Sequence, residues 1–126
     1  MELVLDSGGL SALSGRAGRE RIRALRQRGL WPPVVPTVVC VESLTGQHRD
    51  AAVNQLLAVC DVVEDLDLRT ARRAAGLRHD ARRGSAVDAI VVAIAESLGD
   101  SIVLTGDERD LRPLAARTEN VRIARA

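Results

Sequence analysis

The sequence predicts an α/β fold, a three-layer α/β/α sandwich around a central, mostly parallel sheet. Three short apolar runs, Leu3-Val4-Leu5, Val34-Val35 and Ile102-Val103-Leu104, have the length and character of buried strands. They alternate with longer segments of helical periodicity, which indicates βαβ units with right-handed crossovers. Because the runs are apolar throughout rather than alternating, the strands are expected to be covered on both faces, as in a parallel sheet.

The order of elements follows from turn, cap and periodicity signals. Leu3 to Asp6 is predicted as a strand, and residues 16–28 as a helix that Gly29 ends. Val34-Val35-Pro36 is predicted as a second strand, with Thr37 as the N-cap of a helix through about Gln47. The later predicted elements are a helix over 50–59, a strand at Val62-Val63, a helix capped by Asp67 to about His79, an apolar helix from Ser85 to about Leu98, and strands at Ile102–Thr105 and Val121–Ile123.

Length and composition limit the class of protein. The 126 residues are expected to form a single domain, residues 1–126, because they suffice for one hydrophobic core and not for two. The net charge is +1, so bulk charge does not indicate nucleic-acid binding. All 18 basic residues are Arg. The absence of Lys argues against a Walker-type phosphate loop, a Schiff-base enzyme and a phosphoacceptor receiver domain, which all use a Lys.

Cysteine and histidine placement argues against a disulfide or zinc protein. Cys40 and Cys60 lie in apolar stretches without a CxxC motif and are expected to be reduced core thiols of a cytoplasmic protein. His48 and His79 lie in polar segments and are expected at the surface rather than on zinc. No signal peptide is evident, and the longest apolar run is too short to span a bilayer, so no membrane association is expected.

Four carboxylates lie at the ends of apolar runs, namely Asp6, Glu42, Asp88 and Asp107. Burying a carboxylate without a partner costs several kcal/mol, so acids beside core-forming segments require a shared partner. Ligands of open parallel sheets bind beyond the carboxyl ends of the strands, where Asp6 and Asp107 are both predicted to lie. Because clustered carboxylate oxygens suit Mg²⁺ or Mn²⁺, the sequence predicts a site for one of these ions.

Each acid also has a purely structural interpretation. Asp6 could be a turn residue, and Glu42 could lie on a solvated helix face, although its neighbours are apolar. Asp88 follows a Ser by three residues ahead of an apolar run, which resembles a capping box. Asp107 and Asp110 could cap the segment that follows them. A capping role and a catalytic role are compatible, because a helix N-terminus stabilises a carboxylate.

Taken together, the acidic segments resemble those of PIN-domain nucleases, and among these the VapC-type toxins of toxin–antitoxin pairs, over essentially the whole chain. Leu3 to Ser7 is similar to the opening motif, Thr37 to Glu42 to the segment that carries the family's Glu, and Val87 to Ile90 to the third acidic motif. Leu104 to Leu111 resembles the fourth motif, Thr-x-Asp-x-x-Asp. This chain departs from it in having Leu where the family often has Phe, and Gly106 where a basic residue is common.

The resemblance implies a metal-dependent endoribonuclease, a hydrolase of RNA phosphodiester bonds, that acts as a toxin. The four acids would hold one or two Mg²⁺ or Mn²⁺ ions, with Asp110 as a further acid. Ser7 and Thr105 are expected to orient the carboxylates through hydrogen bonds. The resemblance also implies a homodimer and a small VapB-type antitoxin, whose basic side chain would enter and neutralise the acidic site.

RNA binding is expected to depend on Arg, because guanidinium groups pair with phosphate in bidentate geometry. Each Arg could equally lie on a solvated helix face. Trp31 is the only aromatic residue, so recognition of a folded RNA by shape is favoured over base stacking. The candidates are a helical stripe, Arg19, Arg23 and Arg26, and the pair Arg82 and Arg83 ahead of the Asp88 helix.

Three other classes of protein compete with this interpretation. A receiver-like signalling domain needs paired acids after the first strand as well as a Lys. A phosphatase with an aspartate nucleophile needs Asp-x-Asp there, and Gly8 occupies that second position. A non-catalytic binding module with the same fold remains open, and titration with Mn²⁺ would distinguish it from a nuclease.

Overall fold

A computed structural model describes residues 1–126 and confirms the α/β fold, with a five-stranded, entirely parallel sheet flanked by seven α-helices. The order of the strands across the sheet is β3-β2-β1-β4-β5, so β1 and β4 lie near its centre. The crossovers between parallel neighbours are helical, as the alternating pattern predicts. The strands are β1 (Glu2–Leu5), β2 (Val34–Pro36), β3 (Asp61–Val63), β4 (Ser101–Thr105) and β5 (Val121–Arg125).

Seven α-helices connect and cover the strands. The longest has 14 residues, and none combines the length and apolarity that crossing a membrane requires. The helices are α1 (Ser7–Leu13), α2 (Arg19–Gln27), α3 (Thr37–Ser43), α4 (Ala51–Leu57), α5 (Leu68–Ala81), α6 (Ala86–Ser97) and α7 (Glu108–Ala115), with 3₁₀ turns at Arg16–Gly18 and His48–Asp50.

The core is built around the central strands and α6. Leu3, Val4 and Leu5 of β1 are almost completely buried, as expected for a strand with helices on both faces. Helix α6 contacts the central strands and the neighbouring helices. Six of its apolar side chains between positions 89 and 95 are buried. Because Leu5 and Thr105, the last residues of β1 and β4, are completely buried, the side chains that follow them start from fixed positions.

Several local predictions are confirmed. Asp67 caps α5, with its Oδ1 accepting a 2.7 Å hydrogen bond from Thr70 N. Ser85 and Asp88 form the capping box of α6, and Asp107 is the N-cap of α7. The two cysteines are free thiols, and burial raises the pKa of Cys60 to about 11.

The prediction of a helix from Thr37 to Gln47 is wrong in its cap and its length. Pro36 is the N-cap position of α3, and Thr37 is its first residue, with the hydroxyl directed to Glu64 O at 3.5 Å. The helix ends at Ser43 because residues 44–50 form a loop around the carboxylate of Asp50.

Asp50 is 5% exposed and organises this loop. Its carboxylate accepts hydrogen bonds from Thr45 N at 2.8 and 3.0 Å, Thr45 Oγ1 at 2.8 Å and Gly46 N at 2.7 Å. These donors, the Thr45 hydroxyl foremost, lower the pKa of Asp50 below its ordinary 3.8 because they stabilise the charged form. The carboxylate therefore takes over the backbone groups that a longer α3 would have satisfied.

Acidification is expected to show this contribution to stability. Because the folded-state pKa of Asp50 is depressed, its stabilisation is complete above the unfolded pKa of about 3.8 and is lost as the pH falls toward the lower folded value. Between about pH 6 and pH 3, wild type should therefore lose more of its free energy of unfolding than Asp50→Asn does. Urea unfolding at a series of pH values measures this loss.

Asp61→Asn is the matched control, because the Asp61 side chain is exposed and makes no hydrogen bond. Its stability should follow that of wild type over the same pH range. Parallel curves for wild type and Asp50→Asn would contradict the role given to the Asp50 carboxylate.

Candidate active site

Asp6 lies directly after β1, at the end of the sheet where the carboxyl termini of the strands meet (the carboxyl edge). There it contacts both the start of α1 and the end of β4. As the N-cap of α1, its Oδ1 accepts a 2.8 Å hydrogen bond from Gly9 N. Its Oδ2 accepts a hydrogen bond from the hydroxyl of Thr105 at the end of β4. The side chain is only 8% exposed. Asp6 thus has the local capping role that its position allows, and it is also a buried carboxylate fixed on both oxygens.

The pKa of Asp6 is raised above its ordinary value. Burial is the main cause, and the hydrogen bonds from Thr105 and Gly9 oppose it. The negative charge of Asp88 raises the pKa further, so the two carboxylates are close enough to repel each other. A cation placed between them would relieve this repulsion and favour the ionised form of Asp6.

The hydroxyl of Thr105 connects Asp6 to Asp107. While donating to Asp6, Thr105 Oγ1 accepts a 2.9 Å hydrogen bond from Asp107 N. The Asp107 side chain is exposed, and its Oδ1 accepts from Arg109 N at 3.1 Å as the cap of α7. Thr105 is fully buried, so one side chain fixes both the carboxylate after β1 and the turn after β4.

Direct backbone packing holds this turn against α1. A Cβ on Gly8 would lie 2.4 Å from Gly106 N, and a Cβ on Gly9 would lie 2.2 Å from Leu104 O. Neither backbone neighbour can move aside cheaply, so both positions require glycine. A Cβ on Gly106 would lie 3.3 Å from the Gly8 Cα. The small residue at 106 therefore belongs to a tight contact between the two segments that carry Asp6 and Asp107.

Gly8→Ala is expected to destabilise the protein by about 1–3 kcal/mol, the usual cost of overpacking. Ala is a better helix former than Gly by about 1 kcal/mol, so a loss of stability within α1 would reflect the clash rather than propensity. Gly106→Ala is the matched control and should cost clearly less, because its Cβ meets only a 3.3 Å contact. Equal midpoints in urea unfolding for the two variants would contradict this packing argument.

Asp88 lies in the first turn of α6, half-buried. Its Oδ2 accepts from Ser85 N at 3.2 Å, and its own N–H donates to Ser85 Oγ at 3.1 Å. Its other carboxylate oxygen makes no hydrogen bond. Asp107 likewise keeps one oxygen without a donor. Both acids therefore cap their helices and retain an oxygen with which to bind a further group.

Glu42 is placed differently from the expectation that it shares an apolar face. It lies in the last turn of α3, exposed and without a hydrogen bond, and its neighbour Val41 is 81% exposed. The prediction of an apolar environment is wrong because α3 is short and packs through residues such as Val39 instead. Helix α3 nevertheless contacts both α1, which Asp6 caps, and α6, which carries Asp88 in its first turn.

The remaining candidates have varied surroundings. Asp110, the candidate further metal ligand, forms a 3.0 Å ion pair with Arg83, a candidate RNA-binding residue. The hydroxyl of Ser7 makes no hydrogen bond, whereas Thr105 does contact a carboxylate.

The other candidate RNA-binding residues lie at the end of α5 and along α2. Arg82 ends α5 in the left-handed conformation, with φ of 51°. In the α2 stripe, Arg26 lies over the ring of Trp31 at 5.3 Å, while Arg19 and Arg23 are exposed without an ion pair.

Asp6 lies close to the charge of Asp88 and is linked to Asp107 through Thr105, but the carboxylates do not form a compact set of ligands. No three Asp, Glu, His or Cys side chains lie close enough to share a metal ion. Asp88 and Asp107 each direct one oxygen to the N-terminus of their own helix. The chemistry of the donors nevertheless fits Mg²⁺ or Mn²⁺, because every acid offers oxygen and the edge has no thiolate or imidazole.

The protein is thus a parallel α/β/α sandwich with acids at the carboxyl ends of β1 and β4. The model of the PIN domain matches residues 3–116, and the chain belongs to the PIN-domain family. PIN domains are generally metal-dependent nucleases. The crystal structure of PAE2754 from Pyrobaculum aerophilum is similar in fold, with a TM-score of 0.63 and 19% identity over 98% of this chain and 89% of that one. Comparison with curated proteins finds no match.

Proposed function

We propose that this PIN domain is a metal-dependent endoribonuclease that acts in the cytoplasm as the toxin of a toxin–antitoxin pair. The observation that carries the proposal is the buried Asp6 carboxylate, held by Thr105 and close to the charge of Asp88. A buried carboxylate beside a second one is unfavourable without a cation, so the arrangement favours a metal-binding role over a structural one.

The chain's own residues would prepare the site. Asp6 would be the metal ligand with the most fixed position. Both of its oxygens are oriented by hydrogen bonds that they accept, and each still has a free lone pair. Asp88 and Asp107 would contribute the oxygens that capping leaves free, and Glu42 is exposed and unrestrained. Asp110 is a further acid once Arg83 is displaced. A bound Mg²⁺ or Mn²⁺ ion would acidify water and stabilise negative charge on a phosphate.

The proposed antitoxin partner rests on the resemblance to VapC-type toxins. The carboxylates of Asp6, Asp88 and Asp107 form no ion pair, and such groups attract a basic side chain, which is compatible with an antitoxin that inserts one. The proposed oligomeric state is a homodimer, on the basis of the resemblance to VapC-type toxins. The proposed substrate is RNA, with the exposed Arg19 and Arg23 among the residues that would contact its phosphates.

A non-catalytic binding module is the second candidate function. The observation that favours it is that no three acidic side chains are close enough to share an ion in this conformation. In such a module, the acids would serve only as helix caps, as Asp88 and Asp107 do here.

Cleavage of RNA tests the proposal. Purified protein should cut RNA with Mg²⁺ or Mn²⁺, lose that activity with EDTA, and lose it as Asp6→Asn. Asp100→Asn is the matched control, because Asp100 is an exposed acid just before β4, at the opposite edge of the sheet, and it should cleave like wild type. Absence of metal-dependent cleavage by wild type, or equal activity of Asp6→Asn, would contradict the proposed function.

A further inference from the structure

A polar cleft lies between the start of α7 and the end of β5. It is beside the carboxyl ends of the strands, where Asp6, Asp88 and Asp107 lie, a region called the acidic edge below. Its volume is about 410 Å³, and no hydrophobic residue lines it. Asp107 forms part of its wall, so the cleft opens directly onto the candidate active site. The lining residues are Gly106, Asp107, Glu108, Arg109, Arg112 and Arg125.

Strand register places Arg125 next to the acids. Arg125 pairs with Thr105 across β4 and β5, and Ala126 N donates a 2.7 Å hydrogen bond to Thr105 O. Residues in register on parallel neighbours point to the same face of the sheet, about 4.8 Å apart. Thr105 reaches Asp6 from that face. Arg125 therefore leaves the sheet on the same face as the Asp6–Thr105 pair, one strand away.

Ion pairing leaves two guanidinium groups of the cleft available. Arg112 is engaged by Glu108, with 2.9 Å between Arg112 Nε and Glu108 Oε2. Arg109 and Arg125 are exposed, and their side chains form neither a hydrogen bond nor an ion pair. If Asp107 is committed to a cation, these two positive charges have no counter-charge in the cleft. A phosphate would satisfy them through bidentate, charge-assisted hydrogen bonds.

We propose that Arg125 and Arg109 bind one backbone phosphate of the RNA substrate. This phosphate is next to the scissile phosphate, at which the same strand is cut at the acidic edge. This inference rests on the proposed nuclease function and adds the direction in which the strand leaves the site. Helix α2 extends the same path, because Arg21 Nη2 donates a 3.3 Å hydrogen bond to Arg125 O. That contact brings the arginine-rich helix to the end of β5, so the track of positive charge continues beyond the cleft.

The experiment compares Arg125→Gln and Arg109→Gln with Arg122→Gln. Arg122 is an exposed Arg of the same strand, three residues and about 10 Å from Arg125, and it does not line the cleft. Binding of a fluorescein-labelled RNA hairpin with a single-stranded overhang is followed by anisotropy in EDTA at several salt concentrations. Cleavage of the same RNA is measured separately with Mn²⁺.

Each cleft variant should bind the RNA roughly threefold to tenfold more weakly than wild type, as expected for one lost phosphate contact at an exposed site, where solvent weakens charge pairing. The slope of log K against log salt should fall by about 0.7 to 0.9 for each lost phosphate contact. Arg122→Gln should match wild type in both. Circular dichroism should give the same melting temperature for all variants, because none of the three side chains makes a hydrogen bond.

If wild type cleaves the RNA but the cleft variants bind like Arg122→Gln, this inference is overturned while the nuclease function stands. An equal loss in all three variants would also overturn it, because it would indicate general charge attraction rather than a site. If wild type does not cleave with Mn²⁺, the proposed function fails, and the assignment of the cleft to a substrate strand fails with it.

Discussion

Replacing Asp88 with Asn is expected to abolish metal-dependent RNA cleavage and leave the fold intact. The Asn oxygen can still accept the 3.2 Å hydrogen bond from Ser85 N, so the start of α6 keeps its cap. The change removes the charge that acts on Asp6 and one potential metal ligand. Loss of an outer partner of a metal site costs about 10- to 100-fold, so loss of a ligand should exceed 100-fold. Initial rates of RNA cleavage with Mn²⁺ measure the effect.

Ser85→Ala separates the capping role of Asp88 from its catalytic role. This variant removes the hydroxyl that caps α6, which typically costs about 0.5–2 kcal/mol of stability, and keeps the carboxylate of Asp88. We expect a lower melting temperature with cleavage close to that of wild type. Cleavage at the wild-type rate by Asp88→Asn would remove Asp88 from the site. Equal loss of cleavage in both variants would attribute the effect to the helix cap.

Thr105→Val is expected to impair both stability and metal binding. Val has nearly the shape of Thr, so the change removes the hydroxyl that donates to Asp6 and accepts from Asp107 N. A buried polar group left without its partner costs about 1–3 kcal/mol. The hydroxyl also orients the Asp6 carboxylate, and the loss of such an orienting partner typically costs about 10- to 100-fold in metal affinity, so Mn²⁺ affinity should fall by that factor.

Thr105→Ser is the control for this prediction, because it keeps the hydroxyl and loses only a buried methyl group. It should retain most of its affinity for Mn²⁺, although the lost methyl should lower its stability. Urea unfolding and calorimetric titration with Mn²⁺ measure the two effects separately. Wild-type affinity in Thr105→Val, or an equal loss in Thr105→Ser, would contradict the orienting role of the hydroxyl.

Much of the fold could be predicted because its signals are local. The apolar runs of β1 and β4, and caps such as Asp67 and Ser85, depend on residues a few positions apart. The end of α3 could not be predicted in this way. It depends on the Asp50 carboxylate, which accepts hydrogen bonds from Thr45 and Gly46 in place of a further helical turn. The sequence signal for this loop was the Thr45-Gly46 pair with Asp50 four residues after the Gly.

The candidate site was predictable in its position but not in its geometry. The ends of β1 and β4 place Asp6 and Asp107 at one edge, as expected for a parallel sheet. Contacts between distant segments were not predictable. Gly8 packs on the turn that precedes α7, and the pairing of β4 with β5 brings Arg125 beside Thr105. Both depend on strand order, which no local pattern specifies.

The central claim is that carboxylates from separate elements act together on one divalent cation at the carboxyl edge of the sheet. Isothermal titration calorimetry with Mn²⁺ tests this claim most directly, using wild type, Asp6→Asn, Asp88→Asn and the control Asp100→Asn. We predict saturable binding by wild type and Asp100→Asn, and its loss in Asp6→Asn and Asp88→Asn. Absence of binding by wild type, or equal binding by all four proteins, would contradict the claim.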